Sequence, residues 1–447
     1  MPWVETHLRM GRLDITGGIY PRVVDINDLG GSKQAAFCQP EFSPDGRYLA
    51  YISDEGGWWQ LYLLDLHTLE SRRLTSFEAE HALPQWQEGM RSYGFSPDGE
   101  SILYIRYQSG SAQVRRLRLS DGNDTQIPID GGYSWFEQIA VAPDGERFAV
   151  IASGPQVPNR VIECRLDGSV SVRARSASED ISQEYYPIPQ RVTWTGHDGG
   201  TVHGLFYSPA NPEFKGSGLP PLIVNVHSGP TGQASALFEP KIAFFTSRGY
   251  AVLRVNYRGS AGYGRDYRNK LHGSWGVYDV EDSINGAKAI AARRLVDDRK
   301  LVIMGSSAGG FSVLKAREDY PGFFQAGVCL YGVSNQFELI DEIPKFEAHY
   351  NDSLLGHLPE AAEIYRQRSP VFFTDRIQDP LALYHGEDDP VVPSSQSDEI
   401  AASLRRRCIP YIYHSYPGEG HGFHKLETLE HHYTTLEKFL RRYVLYT

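Results

Sequence analysis

The sequence predicts two domains of different types, a doubly wound α/β domain with a mainly parallel sheet and, before it, a short all-β domain of the propeller type. Three observations support this prediction. A Pro-Asp-Gly turn recurs through the first half of the chain, and apolar strands alternate with helical segments through the second half. Within that second half, an apolar run ends abruptly in the small-residue turn Gly305-Ser306-Ser307-Ala308-Gly309. The 447 residues are also too many for one ordinary core, because domains average about 150 residues.

The recurring turn of the first half is followed each time by a short alternating or apolar run, which predicts a strand. The Pro-Asp-Gly units begin at Pro44, Pro97 and Pro143 and so repeat every 46 to 53 residues. This long period is typical of propeller blades, whereas a β-sandwich, the alternative, would show turns about every 8 to 12 residues. Propellers close with about four to eight blades, and three repeats fit here. Residues 1–40 therefore either supply strands of a fourth blade, or the domain is a small, incomplete propeller.

A polar, irregular stretch at residues 176–189 separates the two halves, and its prolines block a helix. We place the domain boundary there, with residues 1–180 as the propeller-like domain and 181–447 as the α/β domain. Beyond it, strand and helix alternation predicts a parallel sheet, which binds ligands at the carboxyl ends of its strands. The predicted strands are 222–226, 251–255, 300–304, 326–330, 381–384 and 411–414, and the predicted helices are 282–294 and 394–406.

Composition excludes several classes of partner. The formal net charge of −11 argues against nucleic acid or an anionic membrane, because both repel an acidic surface. No stretch approaches the roughly 18 apolar residues of a membrane helix, and the first residues lack the basic start and apolar core of a signal peptide, so we expect a cytoplasmic protein. The four cysteines are widely separated, which predicts reduced thiols rather than a disulfide framework. We expect no cofactor and no metal.

Three segments of the second half suggest nucleophilic catalysis. The turn around Ser307 has the G-x-S-x-G spacing of a nucleophile elbow, in which small neighbours at Gly305 and Gly309 avoid backbone clashes. A plain glycine-serine loop is the alternative interpretation. A serine needs a histidine to take its proton and an acid to orient that histidine. The acids at 387–389 and the loop histidine His421 follow predicted strands, and the order Ser, Asp, His is that of the α/β-hydrolase fold.

Together these segments resemble the prolyl oligopeptidase family of serine peptidases, most closely its acylaminoacyl peptidase and dipeptidyl peptidase branch. The resemblance covers roughly residues 190–445. It implies an α/β-hydrolase domain with serine peptidase activity and an amino-terminal propeller that covers the active site. The matching segments are 256–264, 272–276 with Asp279 and Asp282, the elbow, 385–393 and 419–423.

The family pattern implies Ser307 as nucleophile, His421 as general base and then acid, and Asp389 as the orienting carboxylate. Asp388 is the rival for the last role, but Asp389 stands four residues after His385 and four before Pro393, as in the family segment. His385 itself is predicted to be a packed strand-end residue. The histidines at 424, 431 and 432 look like a ligand set, yet the last two are adjacent on a predicted helix, so we expect surface histidines.

The oxyanion formed during attack needs two N–H donors. One should be the backbone N–H of Ala308. The other should come from the 225–230 loop, which resembles the family's His-Gly-Gly-Pro loop although Ser228 replaces a glycine. We favour Gly229 as this donor, with the His227 side chain as an alternative.

Several further residues are candidates for the substrate site. Phe311, Val333 and Phe337 are candidates for an apolar side-chain pocket, with ordinary core packing as the alternative. Val391 stands where many relatives have an arginine or asparagine that holds a substrate carbonyl. Acids that grip a free amino terminus in dipeptidyl members lie in the propeller, where Asp54, Glu55, Glu78 and Glu80 are by default solvated loop residues.

These observations favour a serine peptidase that cleaves short peptides through an acyl-enzyme. An esterase or amidase with the same triad is the nearest alternative, favoured by Val391 and the short propeller. A catalytically silent binding protein on a hydrolase fold is a third. The short amino-terminal domain also suggests a homo-oligomer, in which a second subunit would complete the enclosure of the active site.

Overall fold

The computed structural model describes residues 1–31, 35–342 and 345–446. It divides into two compact units. Unit 1 comprises Met1–Ser178 together with Gly262–Asp266. Unit 2 comprises Glu179–Ala261 and the chain from Tyr267 onward.

The described residues of unit 1 form three sheets in which four consecutive strands make an antiparallel meander, as propeller blades do. The propeller-like fold class is thus confirmed. A two-stranded antiparallel ribbon precedes them. The ribbon is β1 (His7–Asp14) and β2 (Arg22–Gly31), and the blades are β3 (Phe37–Phe42), β4 (Tyr48–Ser53), β5 (Gln60–Asp65) and β6 (Ser71–Arg73), then β7 (Tyr93–Phe95), β8 (Ser101–Gln108), β9 (Ser111–Arg118) and β10 (Asp124–Gln126), then β11 (Trp135–Val141), β12 (Arg147–Gly154), β13 (Val157–Arg165) and β14 (Val170–Arg175).

The Pro-Asp-Gly turns connect the first two strands of each blade. In the first blade the Ser43 hydroxyl donates to Asp45 at 2.6 Å, and the Gly46 N–H donates to the Ser43 carbonyl at 2.9 Å. Gly46 has a φ of 71°, which favours glycine over residues with a side chain, and the equivalent Gly99 and Gly145 have the same φ. The repeat predicted from sequence therefore marks one turn per blade. Of the two alternatives for residues 1–40, a fourth blade would need further strands beside β1 and β2, which pair as a two-stranded ribbon within the described residues.

Unit 2 is built on a sheet of strand order β15-β16-β18-β17-β19-β20-β21-β22, parallel from β18 through β22. This confirms the predicted α/β-hydrolase class. The sequence missed β15 and β16, which join antiparallel at one edge. No helix separates β15, β16 and β17, so an alternation of strands and helices does not indicate β15 and β16. The strands are β15 (Gln190–Thr195), β16 (Thr201–Tyr207), β17 (Leu222–Val226), β18 (Ala251–Asn256), β19 (Leu301–Ser306), β20 (Ala326–Leu330), β21 (Leu381–Gly386) and β22 (Tyr411–Tyr416).

Helices connect the strands from β17 to β22, and a group of short helices follows β20. The central strands β17, β18 and β19 are mostly apolar and are buried along nearly their whole length, as expected when both faces of a sheet are covered. The turns at their carboxyl ends carry the functional residues. The helices are α1 (Pro240–Thr246), α2 (Arg265–Asn269), α3 (Tyr278–Ala292), α4 (Ala308–Asp319), α5 (Gln336–Glu342), α6 (Tyr350–Leu355), α7 (Ala362–Gln367), α8 (Ser395–Arg406) and α9 (Leu426–Leu440).

Candidate active site

Ser307 occupies the sharp turn between β19 and α4. Its φ of 53° is strained for a residue with a side chain, as expected for a nucleophile elbow. A Cβ atom on Gly305 would lie 2.3 Å from the Gly309 carbonyl oxygen, and one on Gly309 would lie 2.3 Å from the Val226 carbonyl oxygen. Both positions therefore require glycine. The Ser307 N–H donates to the Leu330 carbonyl at 3.0 Å, which ties the elbow to the end of β20.

His421 lies between Ser307 and Asp389 in one hydrogen-bonded line. Its Nε2 is 2.9 Å from the Ser307 Oγ, and its Nδ1 is 2.7 Å from the Asp389 Oδ2. A carboxylate accepts, so Nδ1 carries the proton and Nε2 is left to accept the serine proton. The structure thus brings together the three residues that the sequence suggested from separate segments.

The loop after β21 holds Asp389 as an ionised acceptor. Its side chain is fully buried and accepts from the backbone N–H groups of Val391 and Val392 at 2.8 and 3.0 Å. Burial opposes ionisation, but hydrogen bonds from His385, His421 and the Val392 amide outweigh it and hold the pKa of Asp389 well below its ordinary value.

The neighbouring candidates have other positions. Asp388 is exposed, and its backbone N–H donates to the Glu419 carbonyl. His385 is completely buried, with Nδ1 2.7 Å from the Ser397 Oγ and Nε2 2.8 Å from the Val392 carbonyl. It therefore braces the loop that carries Asp389, in keeping with the strand-end role predicted for it.

The ring of His227 has no N–H to offer an oxyanion, which corrects that alternative. Desolvation lowers its pKa to about 4, so the imidazole is neutral and carries one N–H. Its Nδ1 lies 2.8 Å from the Ser228 carbonyl, which can only accept, so this N–H is used there. Nε2 then accepts from the Ser260 hydroxyl at 2.7 Å.

The remaining oxyanion candidates lie around the same elbow. Ala308 is the first residue of α4, directly after Ser307. The Ser228 hydroxyl donates to the Ser306 carbonyl at 2.8 Å, so the loop after β17 is bonded to the elbow. Gly229 follows in that loop with a φ of 136°, a backbone conformation that favours glycine.

Residues that the sequence analysis missed brace this loop. The Tyr257 hydroxyl donates to the Pro230 carbonyl at 2.6 Å, and the Thr231 N–H donates to the Tyr350 hydroxyl at 3.0 Å. The Tyr257 ring also stacks on His227, with the ring centroids 4.3 Å apart. Tyr257 stands inside the 256–264 segment, so the motif pointed to it without indicating its partner.

The three pocket candidates differ in exposure. Phe311 is completely buried on α4 and packs against Trp275, with the ring centroids 4.7 Å apart. It is a core residue and is not carried further as a pocket residue. Val333 is buried after β20, and Phe337 is half-buried at the start of α5, where its ring lies 5.5 Å from that of Tyr365.

Two of the four acids considered in unit 1 are not solvated, contrary to the default expectation. Asp54 is completely buried, accepts from the Ala36 N–H at 2.7 Å and pairs with Arg265. Glu80 is buried and accepts from the backbone N–H groups of Trp59 and Gly264, both at 2.9 Å. Glu55 and Glu78 are exposed, as expected.

Histidines and cysteines form no metal centre among the residues that the structure describes. His424 and His431 are exposed as predicted, but His432 is buried among aromatic rings, which corrects the expectation for that residue. None of the four cysteines forms a disulfide; Cys408 is exposed and the other three are buried. Across the described ranges, no helix has both the length and the apolar character needed to cross a membrane.

Comparison with known proteins identifies both units. Residues 236–446 match the prolyl oligopeptidase family, and residues 27–183 match the TolB beta propeller domain. Dipeptidyl aminopeptidase BIII of Pseudoxanthomonas mexicana is 31% identical over 308 residues, which are 66% of this chain and 44% of that protein. An acylamino-acid-releasing enzyme of Arabidopsis thaliana is 24% identical over 456 residues, which are 90% of this chain and 58% of that protein.

A solved structure is similar over nearly the whole chain. The puromycin-hydrolyzing peptidase of Mycobacterium tuberculosis superimposes with a TM-score of 0.93 at 32% identity, covering 99% of this chain and 66% of that one. This chain thus spans about half the length of the curated relatives above. The matched catalytic segment, the propeller domain and the fold agree with the motifs read from the sequence, and the chain belongs to the prolyl oligopeptidase family.

Proposed function

We propose that this chain is a serine peptidase that cleaves short peptides through an acyl-enzyme. The observation that carries the proposal is the line from the buried Asp389 through His421 to Ser307 at a strained elbow. In an ordinary glycine-serine loop, nothing would hold the serine hydroxyl 2.9 Å from an imidazole that a buried carboxylate orients.

The proposed reaction has two halves. Nε2 of His421 takes the hydroxyl proton as the Ser307 Oγ attacks the substrate carbonyl carbon, and the imidazolium then gives that proton to the leaving amine. Water next attacks the acyl carbon while Nε2 of His421 takes a proton from it. The imidazolium then returns that proton to the Ser307 Oγ as the acid is released. Asp389 keeps the proton on Nδ1 and stabilises the imidazolium. We assign the oxyanion to the N–H of Ala308 and to a donor in the Ser228–Gly229 loop.

We further propose amino-acid amides and short peptides as the substrate class. Support comes from relatives named for dipeptidyl aminopeptidase, acylamino-acid-releasing and puromycin-hydrolyzing activities. Val333 and Phe337, at the carboxyl end of the sheet, are proposed to contact the apolar side chain next to the cleaved bond.

The testing experiment is a matched substrate panel at equal concentration. It contains an acylated amino-acid anilide, a free-amino dipeptide anilide, puromycin as an aminoacyl amide, and a short-chain acyl ester. The blank is Ser307→Ala, which removes only the attacking oxygen. Cleavage of an amide by the wild-type protein but not by Ser307→Ala supports a peptidase. Cleavage that persists in Ser307→Ala contradicts the assigned nucleophile.

An esterase with the same triad is the second candidate, and Val391 favours it. The Val391 N–H donates to the Asp389 Oδ1 at 2.8 Å. The apolar side chain of Val391 cannot donate a hydrogen bond to a peptide carbonyl. Turnover of the ester alone in the panel would establish this alternative. A silent binding protein would fail to label with a fluorophosphonate probe.

Three wider expectations stand as proposals. We propose residues 1–180 and 181–447 as the domains, a cytoplasmic location and a homo-oligomer. Cys164, Cys329 and Cys408 are thiols, the first two of them buried, and this supports a reducing compartment. Limited proteolysis tests the boundary, cell fractionation tests the location, and light scattering tests the oligomer, which a strict monomer would contradict.

A further inference from the structure

Tyr331 is the first residue after β20 and lies beside the catalytic line. Its backbone N–H donates to the Tyr384 carbonyl of β21 at 2.7 Å, while Leu330 just before it accepts from the Ser307 N–H. Its φ of 38° is in the left-handed region, where residues with a side chain are strained. A large aromatic residue therefore stands next to the elbow at a position where glycine would be less strained.

The ring of Tyr331 fills the space between the catalytic imidazole and an aromatic cluster. Its centroid is 4.8 Å from that of His421, with the planes inclined by 60°. On the other side it meets Phe423 nearly edge-on at 5.6 Å. Phe423 in turn packs against Tyr416 at 5.0 Å, so Tyr331 links the imidazole to the packed core of unit 2.

We propose that Tyr331 is a positioning residue, whose ring holds the His421 imidazole in line with Ser307 and Asp389 and stabilises the imidazolium formed on attack. This inference rests on the proposed function. An imidazole on a loop can rotate away from its partners, and an aromatic wall at contact distance removes that freedom. A ring beside a cation also lowers the cation's free energy through the ring quadrupole.

A role for the hydroxyl is the competing explanation. Burial raises the pKa of Tyr331, an effect that contact with Ser306 partly offsets, so the hydroxyl remains protonated. The hydroxyl thus has Ser306 as a neighbour, while the ring faces His421. Removing the hydroxyl alone separates the two roles.

The test compares Tyr331→Ala and Tyr331→Phe with wild type in two assays, amide turnover and the rate of Ser307 labelling by a fluorophosphonate. Labelling reports activation of the serine without a peptide in place. Tyr331→Gly is a second ring-less variant that accepts the positive φ if the alanine variant does not fold. Tyr413→Ala is the matched control, because Tyr413 is a half-buried tyrosine on β22 that bonds Asp398.

We expect the alanine and glycine variants to lose about tenfold in kcat and in labelling rate, with KM within about twofold of wild type. Tyr331→Phe and Tyr413→Ala should stay within about twofold of wild type in both assays. Wild-type labelling rates in the ring-less variants, or a loss confined to KM, would overturn the proposal. So would a phenylalanine variant as slow as alanine, since the hydroxyl would then be responsible. A wild-type chain that never labels overturns the proposed function itself.

Discussion

The Oδ2 atom of Asp389 lies 2.7 Å from Nδ1 of His421, and the carboxylate that makes this contact is fully buried. Asp389→Asn keeps the shape but places an amide that can donate toward Nδ1. The imidazole then moves its proton to Nε2 and can no longer accept from Ser307. We expect kcat to fall by about 10⁴-fold, as measured by amide turnover at saturating substrate.

The neighbouring Asp388 provides the control for this substitution. Asp388 is exposed, so Asp388→Asn should keep wild-type turnover. The assignment fails if the two variants exchange these phenotypes, because Asp388 would then be the orienting acid.

Close backbone approach at Gly309 gives a second prediction. A Cβ atom there would meet the Val226 carbonyl oxygen at 2.3 Å and the His227 carbonyl oxygen at 3.0 Å. Gly309→Ala should therefore push the elbow away from the loop that follows β17. We expect a loss of about 1–3 kcal/mol in the free energy of unfolding and at least a tenfold loss in kcat.

Gly216→Ala is the matched control for Gly309→Ala, because a Cβ atom on Gly216 meets nothing within 4 Å. It should change stability by less than about 0.5 kcal/mol in urea denaturation. Equal stability and activity in the two alanine variants would show that the elbow tolerates a side chain at Gly309.

The sequence located the residues whose chemistry depends on local spacing. Ser307, Asp389 and His421 each lie in a short motif that follows an apolar strand, and parallel strands bring such ends to one edge. What the sequence did not reveal are the partners that approach from distant segments. The Tyr331 ring against His421 and the Tyr257 hydroxyl on Pro230 leave no local pattern, because each depends on how the loops fold over one another.

The burial of Asp54 and Glu80 also could not be predicted from the sequence. Asp54 and Glu80 stand in polar, turn-rich stretches that look solvated, yet the chain at 262–266 covers them. Only tertiary structure provides Arg265 as the partner of Asp54, 211 residues away in the chain.

The buried pair of Arg265 and Asp54 gives a third prediction, within unit 1. The Asp54 side chain is fully buried and that of Arg265 is 15% exposed. Arg265→Met leaves a buried carboxylate without its cation, so we expect a loss of about 3 kcal/mol in the free energy of unfolding. Arg118 forms an ion pair with Asp121 in which both side chains are about half exposed, and Arg118→Met should lose less than about 1 kcal/mol. Urea denaturation measures both, and equal losses would mean that the Asp54 pair is as weak as a surface pair.

Buried histidines predict that acid destabilises the fold. Burial lowers the pKa of His81 and of His432 to about 4, whereas an unfolded chain protonates histidine near pH 6.5. Between these values the unfolded state binds more protons, so stability is complete above about pH 6.5 and falls as the pH drops toward 4. At pH 5 each histidine should lower the free energy of unfolding by about 2 kcal/mol relative to pH 8.

His432→Phe isolates one of these contributions. The ring packs among Tyr384, Phe423 and Tyr433, and Nδ1 has no hydrogen-bond partner within the described residues, so phenylalanine suits the site. The variant should lose about 2 kcal/mol less than wild type between pH 8 and pH 5 in urea denaturation. His67→Gln, at an exposed turn, is the matched control and should lose as much stability as wild type over the same pH range. If His432→Phe loses as much stability as wild type on acidification, the imidazole of His432 is protonated in the folded protein and the acid sensitivity has another origin.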